Sequence, residues 1–159
     1  PPLISDLNVN VVAVNDPTCP NPEGPGSRFR ATFRFQDANG DLPILNGTFE
    51  GEPVVVTSGF PDFNPTTATA TADVEGDGYL GTAGFDLCIY FYTHNGANLW
   101  VNLRDEWGLL SNQLFQFISR PEGANSPPQG AGSERSGDGT APGSVMVPIR
   151  GPAFDGGGG

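Results

Sequence analysis

The chain has 159 residues and sets 18 Asp and Glu against seven cations, every one of them Arg, for a formal net charge of −11. So acidic a surface lacks the basic patch that phosphate backbones and anionic membranes require, which argues against a nucleic-acid partner. No apolar run approaches the roughly 18 residues that would read as a membrane-spanning helix, and most of the 36% hydrophobic content lies in residues 3–119, enough for one domain core.

In chain order, Leu7, Val9, Val11 and Ala13 alternate as a first strand that ends at the Asn15-Asp16-Pro17 break. A Pro/Gly-rich loop over 16–27 carries Cys19. Phe29, Ala31, Phe33 and Phe35 then alternate with Arg28, Arg30, Thr32, Arg34 and Gln36. A period of two with one apolar face predicts a half-buried antiparallel strand. The Asp37-Ala38-Asn39-Gly40-Asp41 turn is followed by strand candidates over 42–49 and 53–58. Over 66–74, Thr67, Thr69 and Thr71 alternate with Ala68, Ala70, Ala72 and Val74, a β pattern with small side chains suited to a close neighbour or an edge.

Residues 84–93 place Phe85, Leu87, Ile89 and Phe91 on one face and Cys88, Tyr90 and Tyr92 on the other, so both faces should be covered. Leu99, Val101 and Leu103 alternate toward the Arg104-Asp105-Glu106-Trp107-Gly108 turn, and 114–119 returns as the last body strand. Turn signals recur about every ten residues and no helical periodicity appears, the pattern of an antiparallel sandwich of about seven to nine strands.

Beyond Ser119 the character changes. Residues 121–144 contain no Val, Ile, Leu, Met, Phe, Tyr or Trp, after which one apolar run appears, Val145-Met146-Val147-Pro148-Ile149. The division expected is a sandwich over 1–120 and an extended arm over 121–159, the arm holding 11 Gly and 6 Pro. Such a composition does not offset its own ordering entropy. The apolar run is therefore expected to dock as a strand, on a neighbouring copy or folded back on its own sandwich, with Val145, Val147 and Ile149 filling pockets while Met146 and Pro148 face outward. Pro148 has no N–H, so it fits an edge and limits further pairing there. The chain opens Pro1-Pro2 without an initiator Met, and a processed or excised piece is expected.

The first strand, the segment Phe35-Gln36-Asp37-Ala38-Asn39-Gly40-Asp41-Leu42, and the late Val101-Asn102-Leu103-Arg104-Asp105-Glu106-Trp107-Gly108 hairpin leading into Ser111-Asn112 resemble the bacterial immunoglobulin-like domains of surface and secreted proteins. The resemblance covers about 3–120. It implies an immunoglobulin-like fold, an extracellular or cell-surface location and a role as spacer, adhesin module or fibre subunit, without choosing among them.

Cys19 and Cys88 stand far apart without CxxC spacing, and a single His offers no zinc set. In an exported protein a disulfide is expected to pin the Cys19 loop to the Cys88 strand, the alternative being two free thiols. Asp37, Asn39 and Asp41 place three oxygen-bearing side chains around a Gly turn, which suits either a tight hairpin connection or a hard cation, calcium first. Asp73, Glu75 and Asp77 repeat that pattern less completely. His94 reads as a turn residue, the neighbouring acids Asp105 and Glu106 do not read as a glycosidase pair, and no catalytic constellation is expected. Tyr90, Tyr92, Trp100 and Trp107 read as core and covered-face residues before they read as a sugar-binding face, and Asn46-Gly47-Thr48 fits an N-glycosylation acceptor at Asn46.

Two functions fit these features. One is a self-assembling subunit of an extracellular fibre or lattice that adds its terminal strand to a neighbouring copy, requires no cofactor, and pairs through backbone hydrogen bonds. The other is a calcium-dependent adhesion, carbohydrate-binding or spacer module whose tail links it to further domains.

Overall fold

A computed structural model describes residues 1–20, 24–59, 65–91 and 95–124, together with the backbone of 145–149. It is all-β, with two antiparallel sheets. The first holds β1 (Leu3–Ala13), β2 (Ser27–Gln36), β3 (Ile44–Leu45), β4 (Thr48–Phe49), β7 (Asp73–Gly76), β8 (Leu80–Ile89) and β11 (Val145–Ile149). The second holds β5 (Val54–Gly59), β6 (Thr66–Ala70), β9 (Gly96–Leu103) and β10 (Leu114–Ser119) in the order β10-β9-β5-β6. Among the described residues no helix is long and apolar enough to cross a membrane.

The alternating segments build the core. Phe29, Ala31, Phe33 and Phe35 of β2 and Ala83, Phe85, Leu87 and Ile89 of β8 face Val54 and Val56 of β5 and Ala97, Leu99, Val101 and Leu103 of β9, all buried. Alternate Arg residues of β2 stay on the outer face, where Arg28 pairs with Asp16 and Asp86, Arg30 with Asp86 and Asp73, and Arg34 with Asp6. β1 joins β2 through two register shifts, one of them beside Asp6, whose φ is 56°. The Asn112 side chain ties β1 to the far sheet: its Nδ2 donates to the Ile4 carbonyl and its Oδ1 accepts the Ile4 N–H at 2.8 Å.

Two expected strands divide in ways that alternation alone does not reveal. The segment 42–49 is a tight hairpin, β3 and β4 being joined by Asn46 and Gly47 at φ 54° and 77°. That is the positive-φ pair a two-residue hairpin turn demands. The Thr/Ala segment 66–74 changes sheets: β6 forms the edge of the second sheet and β7 pairs with β8 in the first. The Thr71 hydroxyl, at the crossing, donates to the Phe49 carbonyl.

Cys19 and Cys88 form a disulfide with Cα atoms 5.7 Å apart, on the outer face of β8 beside buried Tyr90. The Tyr90 hydroxyl donates to the Pro20 carbonyl, and the Cys19 loop is closed by Asp16 N–H to Gly26 O and Gly26 N–H to Cys19 O, each 2.8 Å.

Candidate functional site

Two features stand at opposite ends of the sandwich. β2 and β8 are antiparallel along their whole length, so Gln36 and Leu80 mark one end and Ser27 and Ile89 the other. The carboxylate cluster follows Gln36, and the arm strand lies near Ile89.

At the first end the chain leaves β2 in a tight turn. The Asp37 N–H donates to Tyr79 O, Gly40 N–H donates to Asp37 O, and Asp37 Oδ1 accepts the Asn39 N–H. Gly40 is required here, since its φ is +67° and an added Cβ would lie 2.4 Å from the Tyr79 ring. Across the sandwich β9 ends in a second turn, in which Asp105 Oδ1 accepts the N–H groups of Trp107 and Leu109, both at 2.9 Å. The two turns bring one carboxylate oxygen each of Asp37, Asp41 and Asp105 within 4.8 Å of one another. Asp37 is 3% exposed and Asp105 is 5% exposed, so this is a desolvated cluster of one sign.

None of the ion pairs among the described residues reaches it. Asp37 Oδ2 and Asp41 Oδ1 are buried without a hydrogen-bond partner. The Asp37 carboxyl beside it, with burial and the charges of Asp37 and Asp105, pushes the Asp41 carboxyl above the ordinary carboxylate range.

Of the expected ligand set, Asp37 and Asp41 belong to this cluster. Asn39 is exposed at the turn and contributes its backbone N–H to Asp37. Asp105 enters from the other sheet, a partner that a search for spacing within one loop does not find. The second acidic turn is occupied by local bonding: Asp77 Oδ1 caps the Tyr79 and Leu80 N–H groups, and Asp73 pairs with Arg30. Asn46 is exposed at its hairpin tip. Trp107, 75% exposed, stands at the rim with Leu109 and Leu110, while Tyr90 is buried against the disulfide and Trp100 packs on Phe115 with ring centroids 5.4 Å apart. His94 and Tyr92 lie outside the described residues.

At the opposite end β8 has an unequal pair of edges. β2 covers one edge over the full strand. On the other, β7 covers only Gly81–Gly84, and the remainder is taken by β11, with Val145 opposite Ile89, Met146 opposite Cys88 and Ile149 opposite Asp86. β11 also approaches β6 and β5, so it lies where the two sheets come together. Residues 121–124 are held on the body: Ala124 is buried, its carbonyl accepts from Arg120 Nη2, and Gly123 O accepts from Asn15 Nδ2. The rest of the arm, 125–144 and 150–159, lies outside the described residues.

Fold and site together define a two-sheet antiparallel β-sandwich with an acidic rim cluster and a strand-completed edge. No family model, curated protein or solved structure matches the chain.

Proposed function

We propose that the chain is a non-enzymatic structural subunit of the extracellular space or cell surface, an immunoglobulin-like sandwich that assembles into a fibre or lattice by placing Val145–Ile149 on the β8 edge of a neighbouring copy. The observation that carries this reading is the half-covered edge of β8, which the body strands leave open over Phe85–Ile89 and a strand from the arm completes. Backbone pairing is indifferent to which copy supplies the strand, so exchange conserves the ladder and adds only the cost of association. With 121–124 held on the body, the 20 residues 125–144 could reach up to about 70 Å, more than the width of a small sandwich. An oxidised Cys19–Cys88 pair suits an oxidising compartment.

The test is removal of residues 145–159. A folded monomer that no longer assembles, and that regains assembly when a peptide spanning 143–151 is fused to a second copy, supports strand donation. Unchanged oligomers, or outright unfolding, would show that the strand serves only its own sheet. The acidic rim favours a second reading, a calcium-dependent adhesion, carbohydrate-binding or spacer module, which monomeric behaviour together with calcium-dependent binding to cells or glycans would support.

A further inference from the structure

We propose that Asp37, Asp41 and Asp105 form a binding site for a calcium-class divalent cation that clamps the two sheets together at the rim opposite β11. Three carboxylates with no cationic partner are an unstable arrangement unless something of positive charge joins them. Proteins satisfy the great majority of their buried polar atoms. Here Asp37, 3% exposed, spends Oδ1 on the Asn39 N–H and leaves Oδ2 buried without a donor, and Asp41 Oδ1 is in the same state. No N–H group and no cationic side chain of the described residues fills that role, and a cation held among the three carboxylates would fill it.

The geometry suits one. Oxygens that share an ion at roughly 2.3–2.6 Å lie no more than about 5 Å apart, and the three here lie within 4.8 Å. A donor set made only of oxygen, partly carboxylate and open to water on the Asp41 side, is the set that calcium accepts in its flexible six- to eightfold shell. Backbone N–H groups fix two of the carboxylates, those of Trp107 and Leu109 on Asp105 and that of Asn39 on Asp37, so both are positioned before an ion arrives. Asp37 follows β2 and Asp105 follows β9, one from each sheet. Their shared ion would therefore join elements that the ladder does not join.

The experiment is calcium titration of the full chain after chelator treatment, by isothermal titration calorimetry and by thermal melting with calcium chloride. One ion per chain is expected, with the midpoint raised by roughly 8 °C at a calcium concentration a hundred times Kd. Asp105→Asn and Asp37→Asn should abolish uptake. Since these buried positions risk misfolding, Asp41→Asn, at the half-exposed member, provides a variant expected to fold, to melt no lower than wild type in chelator, and to lose most of the calcium response. Glu75→Gln on the exposed side of β7 should leave uptake unchanged. Absence of uptake by wild type at several millimolar calcium, which would leave a proton shared between Asp37 and Asp41 as the occupant, overturns the proposal. So does calcium binding that survives the Asp41→Asn and Asp105→Asn double substitution.

Discussion

Breaking the disulfide should remove a large share of the protein's stability. Cys19 and Cys88 are 69 positions apart, and closing a loop of that length removes about 15 cal/mol/K from the unfolded chain, or about 4 kcal/mol at 25 °C. The native side should change little on reduction. The Cys19 loop keeps its own closure through the Asp16, Cys19 and Gly26 backbone bonds, and Arg28 still links Asp16 and Asp86 across its base. The effect therefore lies mainly in the unfolded ensemble, with a loss of about 3–4 kcal/mol. For a sandwich of this size the thermal midpoint should fall by roughly 10–15 °C. Urea unfolding and thermal melting, each followed by Trp fluorescence with and without reductant, read the two quantities, and the reduced chain should also show a steeper dependence on urea because its unfolded state exposes more surface. A reduced sample with both thiols free by mass and a midpoint within about one degree of the oxidised one would refute the reasoning, and would mean that other contacts already hold positions 19 and 88 together in the unfolded state.

Further outcomes follow from individual positions. Phe85→Ala, at a ring 2% exposed in the centre of β8, should lower stability by about 3–5 kcal/mol in chemical denaturation. Gly40→Ala should cost about 1–3 kcal/mol, because its φ of +67° is a left-handed backbone that a β-carbon opposes, while the Tyr79 ring 2.4 Å from a new Cβ is 58% exposed and free to turn away. Gly96→Ala meets Phe117 at 2.0 Å, but that ring is 48% exposed and is free to turn outward, so a loss under about 1 kcal/mol is expected. For acid stability, burial opposes ionisation of Asp16, but the Thr18 N–H, the Thr18 hydroxyl and the Arg28 guanidinium outweigh it and hold the carboxyl below its usual range. A lowered folded-state value means that this stabilisation is complete above the unfolded carboxyl range near 4 and disappears as pH falls through the folded value. Asp16→Asn should accordingly be less stable than wild type at pH 7, with the gap narrowing as pH falls below the unfolded carboxyl range near 4, measured by melting across that range.

The parts of the fold that sequence makes legible are those whose periodicity is local. β2 and β9 announce themselves because Phe29, Ala31, Phe33 and Phe35, and then Leu99, Val101 and Leu103, repeat every second residue and face one core. The disulfide is legible by count, since the chain has only two Cys. The sheet crossing after Ala70 is not, because Thr71 and Ala72 have the same β character as the residues on either side, and the bend is set by tertiary bonding such as Thr71 to Phe49. Asn46-Gly47 carried its hairpin signal in view, but its place inside an apolar run concealed it. Asp105 is the least legible. Its local context reads as a turn cap, which it is, and its proximity to Asp37 arises only when the ends of β2 and β9 meet across the sandwich.

That separation also bears on how assembly and cation binding would coexist. The acceptor edge of β8 is stiffened on three sides: β2 along its whole length, β7 over its first half, and Cys88 anchored to the Cys19 loop within the very stretch that β11 pairs. A rigid acceptor loses little entropy when a strand arrives, so the ordering cost falls almost wholly on the arm. Asp37, Asp41 and Asp105 lie at the far end of the same sandwich and share no ladder position with β11. Calcium should therefore raise the stability of each unit without changing which strand completes β8, and assembly should persist in chelator at temperatures where the unit remains folded. Loss of assembly in chelator well below the melting midpoint would instead tie the two ends together, and would require that the rim cluster set the spacing between the sheets into which β11 fits.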